Sequence, residues 1–347
     1  MKRNRLLIKR EGRLIKSNTI SKTSSRNHPP LVGFCRSLLY YIQWDFWRDF
    51  ITGLGAEIVL SPPTSQTMLT EGLTIAVDDT CLPVKAFYGH VNWLMDKVDY
   101  LLVPRLVSLK KHTFICPKFM GLPDMMRASV TDPPPVIAPK IDANQSAREE
   151  RRSLVEAAEA MGFSSRDAQN SLRRAGSPHE RSCRFLSSKV EDQIASGSGR
   201  TSKPKLKLGV LGHPYLLADD TVSANLMGLL LDMGVEPICV DAVEQKILMN
   251  YLEDLPKRVF WSEGGRLLAA ARYFSRRDDI DGIIQVNAFG CGTDSLLGEE
   301  AQRRVDQEGD CPLLSVSLDE HSGKAGLLTR LEAFCDMVER NKRHTGT

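Results

Sequence analysis

The chain has 347 residues, of which 42% are hydrophobic and 26% charged, enough for two ordinary domains with cores and too apolar for disorder along its whole length. The net charge of +3 conceals a division: residues 1–30 hold nine Lys/Arg against one acid, residues 143–207 thirteen against eight, and the remainder carries −10. An acidic body with its basic excess in the least core-like segments is a poor surface for phosphate neutralisation, and no apolar run approaches the roughly 20 residues of a membrane span, so neither nucleic acid nor a membrane is expected as a partner.

Residues 1–30 are basic and Ser/Thr-rich without a core-forming pattern and read as a disordered tail. A first α/β lobe is expected over 31–130. Residues 31–34 read as a strand, 37–54 as a helix with Leu38, Tyr41, Trp44 and Phe50 near helical spacing, and 57–60 as a second strand. Helices follow over about 67–77 and 84–95, joined by a loop holding Asp78-Asp79-Thr80-Cys81, and 99–103 is a strand closed by Pro104. A further loop delivers Cys116-Pro117-Lys118 and a helix or turn near 122–128. Residues 131–206, rich in Pro, Arg, Ser and Gly around a helical run near 147–161, read as a linker with a partly helical excursion.

A second lobe over 207–342 repeats the alternation: strands at 208–211, 235–240, 282–287 and 313–318, with helices over 221–233, 266–274 and 326–341. The fold class expected is α/β, two Rossmann-like lobes with doubly wound parallel sheets and a cleft between them. Ligands in such folds sit beyond the carboxyl ends of the strands.

Eight cysteines (Cys35, Cys81, Cys116, Cys183, Cys239, Cys291, Cys311 and Cys335) without a signal peptide fit a reducing, cytoplasmic setting, and no CxxC pair is present. Any metal site must therefore come from distant loops. Cys81, Cys116 and Cys291 share one context: a loop flanked by Pro or Gly, ahead of a helix start whose dipole favours a thiolate. Cys239 and Cys335 read as small core residues, and Cys183 and Cys311 have no evident role.

The segments Val32-Gly33-Phe34-Cys35-Arg36-Ser37-Leu38, Ala76 to Lys85 around Cys81, Cys116-Pro117-Lys118-Phe119-Met120-Gly121-Leu122-Pro123-Asp124, Gly212-His213-Pro214-Tyr215, Phe289 to Ser295 around Cys291, and Asp319 to Gly326 occur in an order that resembles the acyl-CoA dehydratase activase-related proteins. These proteins, also labelled CoA protein activase, are related to the subunits of 2-hydroxyacyl-CoA dehydratases and benzoyl-CoA reductases. The resemblance spans about 31–142 and 205–342. It implies an iron-sulfur cluster of the 4Fe-4S type held by Cys81, Cys116 and Cys291, with the fourth iron open to substrate or water. Two departures stand out: Cys35 replaces the family's usual Pro and is either a fourth ligand or a small residue in the first βα turn, and Gly292-Thr293-Asp294-Ser295 replaces Gly-Pro-Asp-Ser.

Other polar residues near these loops are candidates. His90, His213 and His321 could move protons; no catalytic residue is assigned, and His321 and Glu320 in Asp319-Glu320-His321, beside the expected cleft, are candidates for an acid–base role, the alternative being a hydrogen bond that fixes the loop. Lys85, Arg105 and Lys118 could offset cluster charge or meet an acyl-CoA phosphate. Ser295, His321 and Asp294 could be written as a triad, but no GxSxG elbow accompanies them. With neither a P-loop nor a strand-placed GxGxxG, the chain shows no nucleotide fingerprint, and ATP is assigned to a separate module. The expected function is thus an iron-sulfur redox component of an anaerobic, CoA-linked dehydratase or reductase system, partnered by an ATP-dependent activase or a dehydratase-type subunit, with acyl-CoA as a further candidate partner. The alternatives are a catalytic 2-hydroxyacyl-CoA dehydratase-like subunit and a non-enzymatic scaffold for the ATPase.

Overall fold

The computed structural model describes residues 28–179, 204–309 and 311–345. Residues 1–27 of the basic tail and Cys183 lie outside the described residues. The first half runs β1 (Leu31–Phe34), α1 (Tyr40–Leu54), β2 (Glu57–Leu60), α2 (Gln66–Ile75), α3 (Leu82–Leu94), β3 (Tyr100–Leu102), β4 (Arg105–Ser108) and α4 (Pro117–Ser129), then β5 (Val136–Ile137), β6 (Lys140–Asp142), α5 (Ala147–Ala160) and α6 (Ser165–Ala175). The second half runs β7 (Leu206–Leu211), α7 (Pro214–Leu217), α8 (Leu226–Asp232), β8 (Val235–Cys239), α9 (Gln245–Asn250), α10 (Ser262–Ser275), β9 (Gly282–Ala288), α11 (Gly292–Glu308), β10 (Leu313–Leu318) and α12 (Lys324–Thr345).

The alternation of apolar strands and helices produces the expected α/β architecture, with one four-stranded sheet in each half. Their orders are β2-β1-β3-β5 and β8-β7-β9-β10, and every pairing is parallel. In chain order the two sheets are wound alike: the first strand is internal, the second lies outside it, and the third crosses to its other side. That crossing makes β1/β3 and β7/β9 the switch points, where loops diverge at the carboxyl ends and leave a place for function. The inner strands need no alternation of polar and apolar residues: β9, for instance, is buried at six of its seven positions, whereas the outer strands β8 and β10 alternate in burial.

β3 ends before Pro104, as expected, but one expectation is extended and one corrected. Beyond Pro104, which removes one donor, Val103 N donates to Ile137 O and Arg105 N to Pro139 O, both at 2.9 Å, so pairing resumes in a separate β4–β6 ladder. The stretch expected as a linker supplies β5 and β6 for this purpose, in pieces of two and three residues between prolines that are too short to show a period. Its helices are also packed. Ser171 on α6 donates to Phe50 O on α1 at 2.5 Å, an approach possible because Gly53 has no Cβ, which would lie 2.5 Å from Ser171 Oγ. Ser146 and Glu149 close a capping box at the start of α5.

A continuous cluster of buried side chains runs from Val32, Trp47 and Leu101 in the first half to Leu208, Tyr215 and Ile284 in the second. Polar contacts cross the same seam. Lys85 on α3 pairs with Glu320, after β10, at 2.5 Å; Thr221 Oγ1 donates to Thr64 O at 2.6 Å; and Phe114 N donates to Phe260 O at 3.0 Å. Burying this apolar area drives the halves together, and the polar contacts fix their register. Among the described residues, no helix is long and apolar enough to cross a membrane.

Candidate metal centre

Each of the three cysteines singled out by its context occupies the N-cap position of a helix: Cys81 before α3, Cys116 before α4 and Cys291 before α11. Proline in the first turn of α3 and of α4 sets the helical backbone where the missing N–H costs nothing. Cys116 ends the loop that leaves β4, and Cys291 follows β9 after Gly290, whose φ of 78° turns the chain sharply. A Cβ on Gly290 would stand 3.9 Å from Cys81 Cα, which shows how closely the loops of the two halves approach. All three thiols are half-buried.

Cys81 and Cys116 both sense the charge of Cys291. Burial pushes the Cys81 thiol up to about 12, with Cys291 and Cys116 adding to the rise and Lys118 opposing it. Burial likewise raises Cys116; the N–H groups of Phe119 and Lys118 work against it, and Cys291 adds to it. Three thiolates gathered here need a nearby cation, because burial and mutual repulsion act in the same direction. The donor set therefore fits a bound metal group.

Beside them stands His213, which the sequence offers only as a proton carrier. His213 follows β7 and Cys291 follows β9, so the switch point of the second sheet sets them side by side. His213 Nε2 lies 2.9 Å from Asp294 Oδ1, and one ligand atom each from His213, Cys291 and Asp294 fall within 4.8 Å of one another. Burial disfavours the imidazolium, but Asp294 and Cys291 outweigh it and hold the His213 pKa well above its usual range. His213 Nδ1 and Asp294 Oδ2 are buried without a hydrogen-bond partner among the described residues. The ring stacks on Tyr215 at 4.9 Å and 12°, and Tyr215 meets Phe119 at 5.4 Å, so aromatic side chains wall the site beside Cys116.

The remaining candidates fall elsewhere. Cys35 is buried beside Leu38, Phe87, Leu102 and Leu122, in the role of a small residue in the first βα turn. Cys239 and Cys335 are buried and Cys311 is half-buried. His90 is enclosed between Ser61 and Thr64. Glu320 is engaged by Lys85, which holds its carboxyl below the usual range, while His321 is exposed. Arg105 binds Met120 O at 2.6 Å and Asp124 at 2.7 Å, pinning α4 behind Cys116. Ser295 Oγ donates to Cys291 O at 2.9 Å and Asp294 faces His213, so two residues of the written triad are committed to other partners.

A separate groove of about 520 Å³ opens between the 110–113 loop and α9, with Lys111, His112 and Arg258 at its rim and Met249, Leu252 and Trp261 on its floor.

Twin parallel sheets with a thiol- and histidine-lined seam define an α/β protein whose candidate site is assembled from both halves. The family model described as CoA enzyme activase uncharacterised domain (DUF2229) matches residues 31–243, and the chain belongs to that family. Membership ties it to the activation of CoA-dependent enzymes. Cys81, Cys116 and His213 lie within the matched span, and Cys291 and Asp294 beyond it. No curated protein was found to match the chain.

Proposed function

We propose that the chain is an iron-sulfur redox component of a CoA-linked dehydratase or reductase system, working with a separate ATP-driven activase. The observation that carries this reading is the convergence of Cys81, Cys116 and Cys291, each capping a helix and each from a different loop, on one seam between the halves. A 4Fe-4S cluster, when bound, would supply one-electron chemistry at low potential. The residues of the chain hold and tune that site: three thiolates ligate, the helix N-termini and Lys118 offset their charge, and Tyr215 and Phe119 restrict water.

Partner docking is supported by the surface nearby. Of the six exposed large apolar side chains among the described residues, Val77, Phe289 and Leu296 lie within five residues of Cys81 or Cys291. An apolar rim around a redox site suits a protein partner that must approach closely for electron transfer. The 520 Å³ groove, with its cationic rim, is where an acyl-CoA phosphate would find complementary charge.

The test is iron and acid-labile sulfide analysis, with visible and EPR spectra, on anaerobically prepared protein. About four of each per chain in the wild type, falling in Cys81→Ser, Cys116→Ser and Cys291→Ser, is expected. Wild-type protein that takes up no iron even on reconstitution would overturn the redox reading and leave the scaffold.

A further inference from the structure

The orphaned nitrogen of His213 has a geometry with a definite meaning. Metal-bound histidines almost always donate their second ring N–H to a carboxylate or carbonyl, which fixes the tautomer and aims the other nitrogen at the metal. His213 has that outer half already in place: Nε2 is 2.9 Å from Asp294 Oδ1, and both side chains are buried, at 5% and 6% exposure. The opposite nitrogen, Nδ1, is shielded from solvent and without a partner, in a molecule where buried polar atoms are nearly always paired. The ring cannot swing away readily, since it stacks on Tyr215 at 12°. It stands beside Cys291.

We propose that His213 is a fourth protein ligand at the thiol site, binding iron through Nδ1, with Asp294 as the positioning residue that holds the Nε2 proton. This rests on the iron-sulfur reading above and sharpens it. With three thiolates and one imidazole, no corner of the cluster is left for a substrate, so the chain passes electrons and does not itself activate a thioester. One imidazole in place of a thiolate also removes a negative charge and raises the reduction potential, as histidine ligation does in other iron-sulfur centres.

The experiment is pulsed EPR on the reduced, anaerobically reconstituted full chain grown with ¹⁵N-histidine, beside iron and sulfide analysis of the same samples. A directly coupled histidine nitrogen is expected in the wild type and in Asp294→Asn, and its loss in His213→Gln. Asp294→Asn should shift the midpoint potential while keeping the coupling, which a purely structural role would not do. Iron-loaded wild type without histidine coupling, or coupling that persists in His213→Gln, would overturn the ligand assignment and leave the cluster reading intact. Absence of iron from the wild type would overturn both, and the metal analysis tells the two failures apart.

Discussion

Thr64, in the loop after β2, gives its hydroxyl hydrogen to Asp219, in the loop after α7, so the two halves share a buried hydrogen bond. The direction of the whole chain of bonds follows. Having donated to Asp219, Thr64 Oγ1 can only accept from His90 Nε2, at 2.9 Å, and His90 Nδ1 then accepts from Ser61 Oγ at 2.8 Å. Ser61 in turn accepts from Arg36 N at 2.8 Å. Every donor has one acceptor, and the arrangement requires a neutral imidazole.

Stability should therefore fall in mild acid. Burial, with Arg36 adding, lowers the His90 pKa from 6.5 to about 4. Above pH 6.5 the ring is neutral whether folded or unfolded. Between about 6.5 and 4 the unfolded chain binds a proton that the folded chain refuses, so stability declines by about 3 kcal/mol as pH drops, and below that range the effect is complete. Urea unfolding from pH 4 to 7 should show a steeper loss for wild type than for His90→Gln; parallel curves would contradict the neutral relay.

Helices α2 and α3 cross closely enough that a Cβ on Gly89 would stand 2.0 Å from Met68 O. The obstruction is backbone, so the helices themselves must part. Gly89→Ala should cost about 3 kcal/mol or more. Gly121→Ala, in α4, meets nothing nearer than Met125 Sδ at 3.9 Å and should be neutral or stabilising by about 0.5–1 kcal/mol. Thermal unfolding of the two variants should separate them by several degrees in opposite directions.

Lys85 keeps only 8% of its side chain exposed, and its partner Glu320 keeps 21%. Glu320→Ala leaves the ammonium buried and unpaired, and is expected to cost about 3–5 kcal/mol by calorimetry or denaturant unfolding. Joint replacement by Met at 85 and Leu at 320 should recover most of that loss. A general acid–base role for Glu320 would instead appear as lost turnover at unchanged stability.

In metal-free folded protein, Cys35, Cys239 and Cys335 are buried whereas Cys81, Cys116, Cys291 and Cys311 are half-buried. Alkylation at pH 8, mapped by mass spectrometry, should label the second group first and reach the first three only on unfolding. Early labelling of Cys35 would place it at the surface and reopen its case as a ligand.

The parts visible in the sequence are those that local pattern controls. β1 is an unbroken apolar run and β2, β7 and β9 are predominantly apolar, and each of the three loop cysteines precedes a helix as its neighbours Pro83, Pro117 and Gly292 indicate. Helix α9 and strands β5 and β6 are too short for a period to emerge. The pairing of His213 with Asp294 spans 81 residues and depends on β7 lying next to β9, a consequence of sheet order and not of spacing. The Thr64–Asp219 bond, 155 residues apart, is invisible for the same reason.

Cys81 and Cys116 belong to the first half, whereas Cys291 belongs to the second. The triangle they form thus has one side internal to the first half and two sides that span the seam. A hinging of the halves would change the spanning sides and leave the internal one as it is, so the thiols would act as a ruler of interlobe separation. Paired spin labels on Cys81 and Cys116, read against a third on Cys291, would report that motion with its own internal standard.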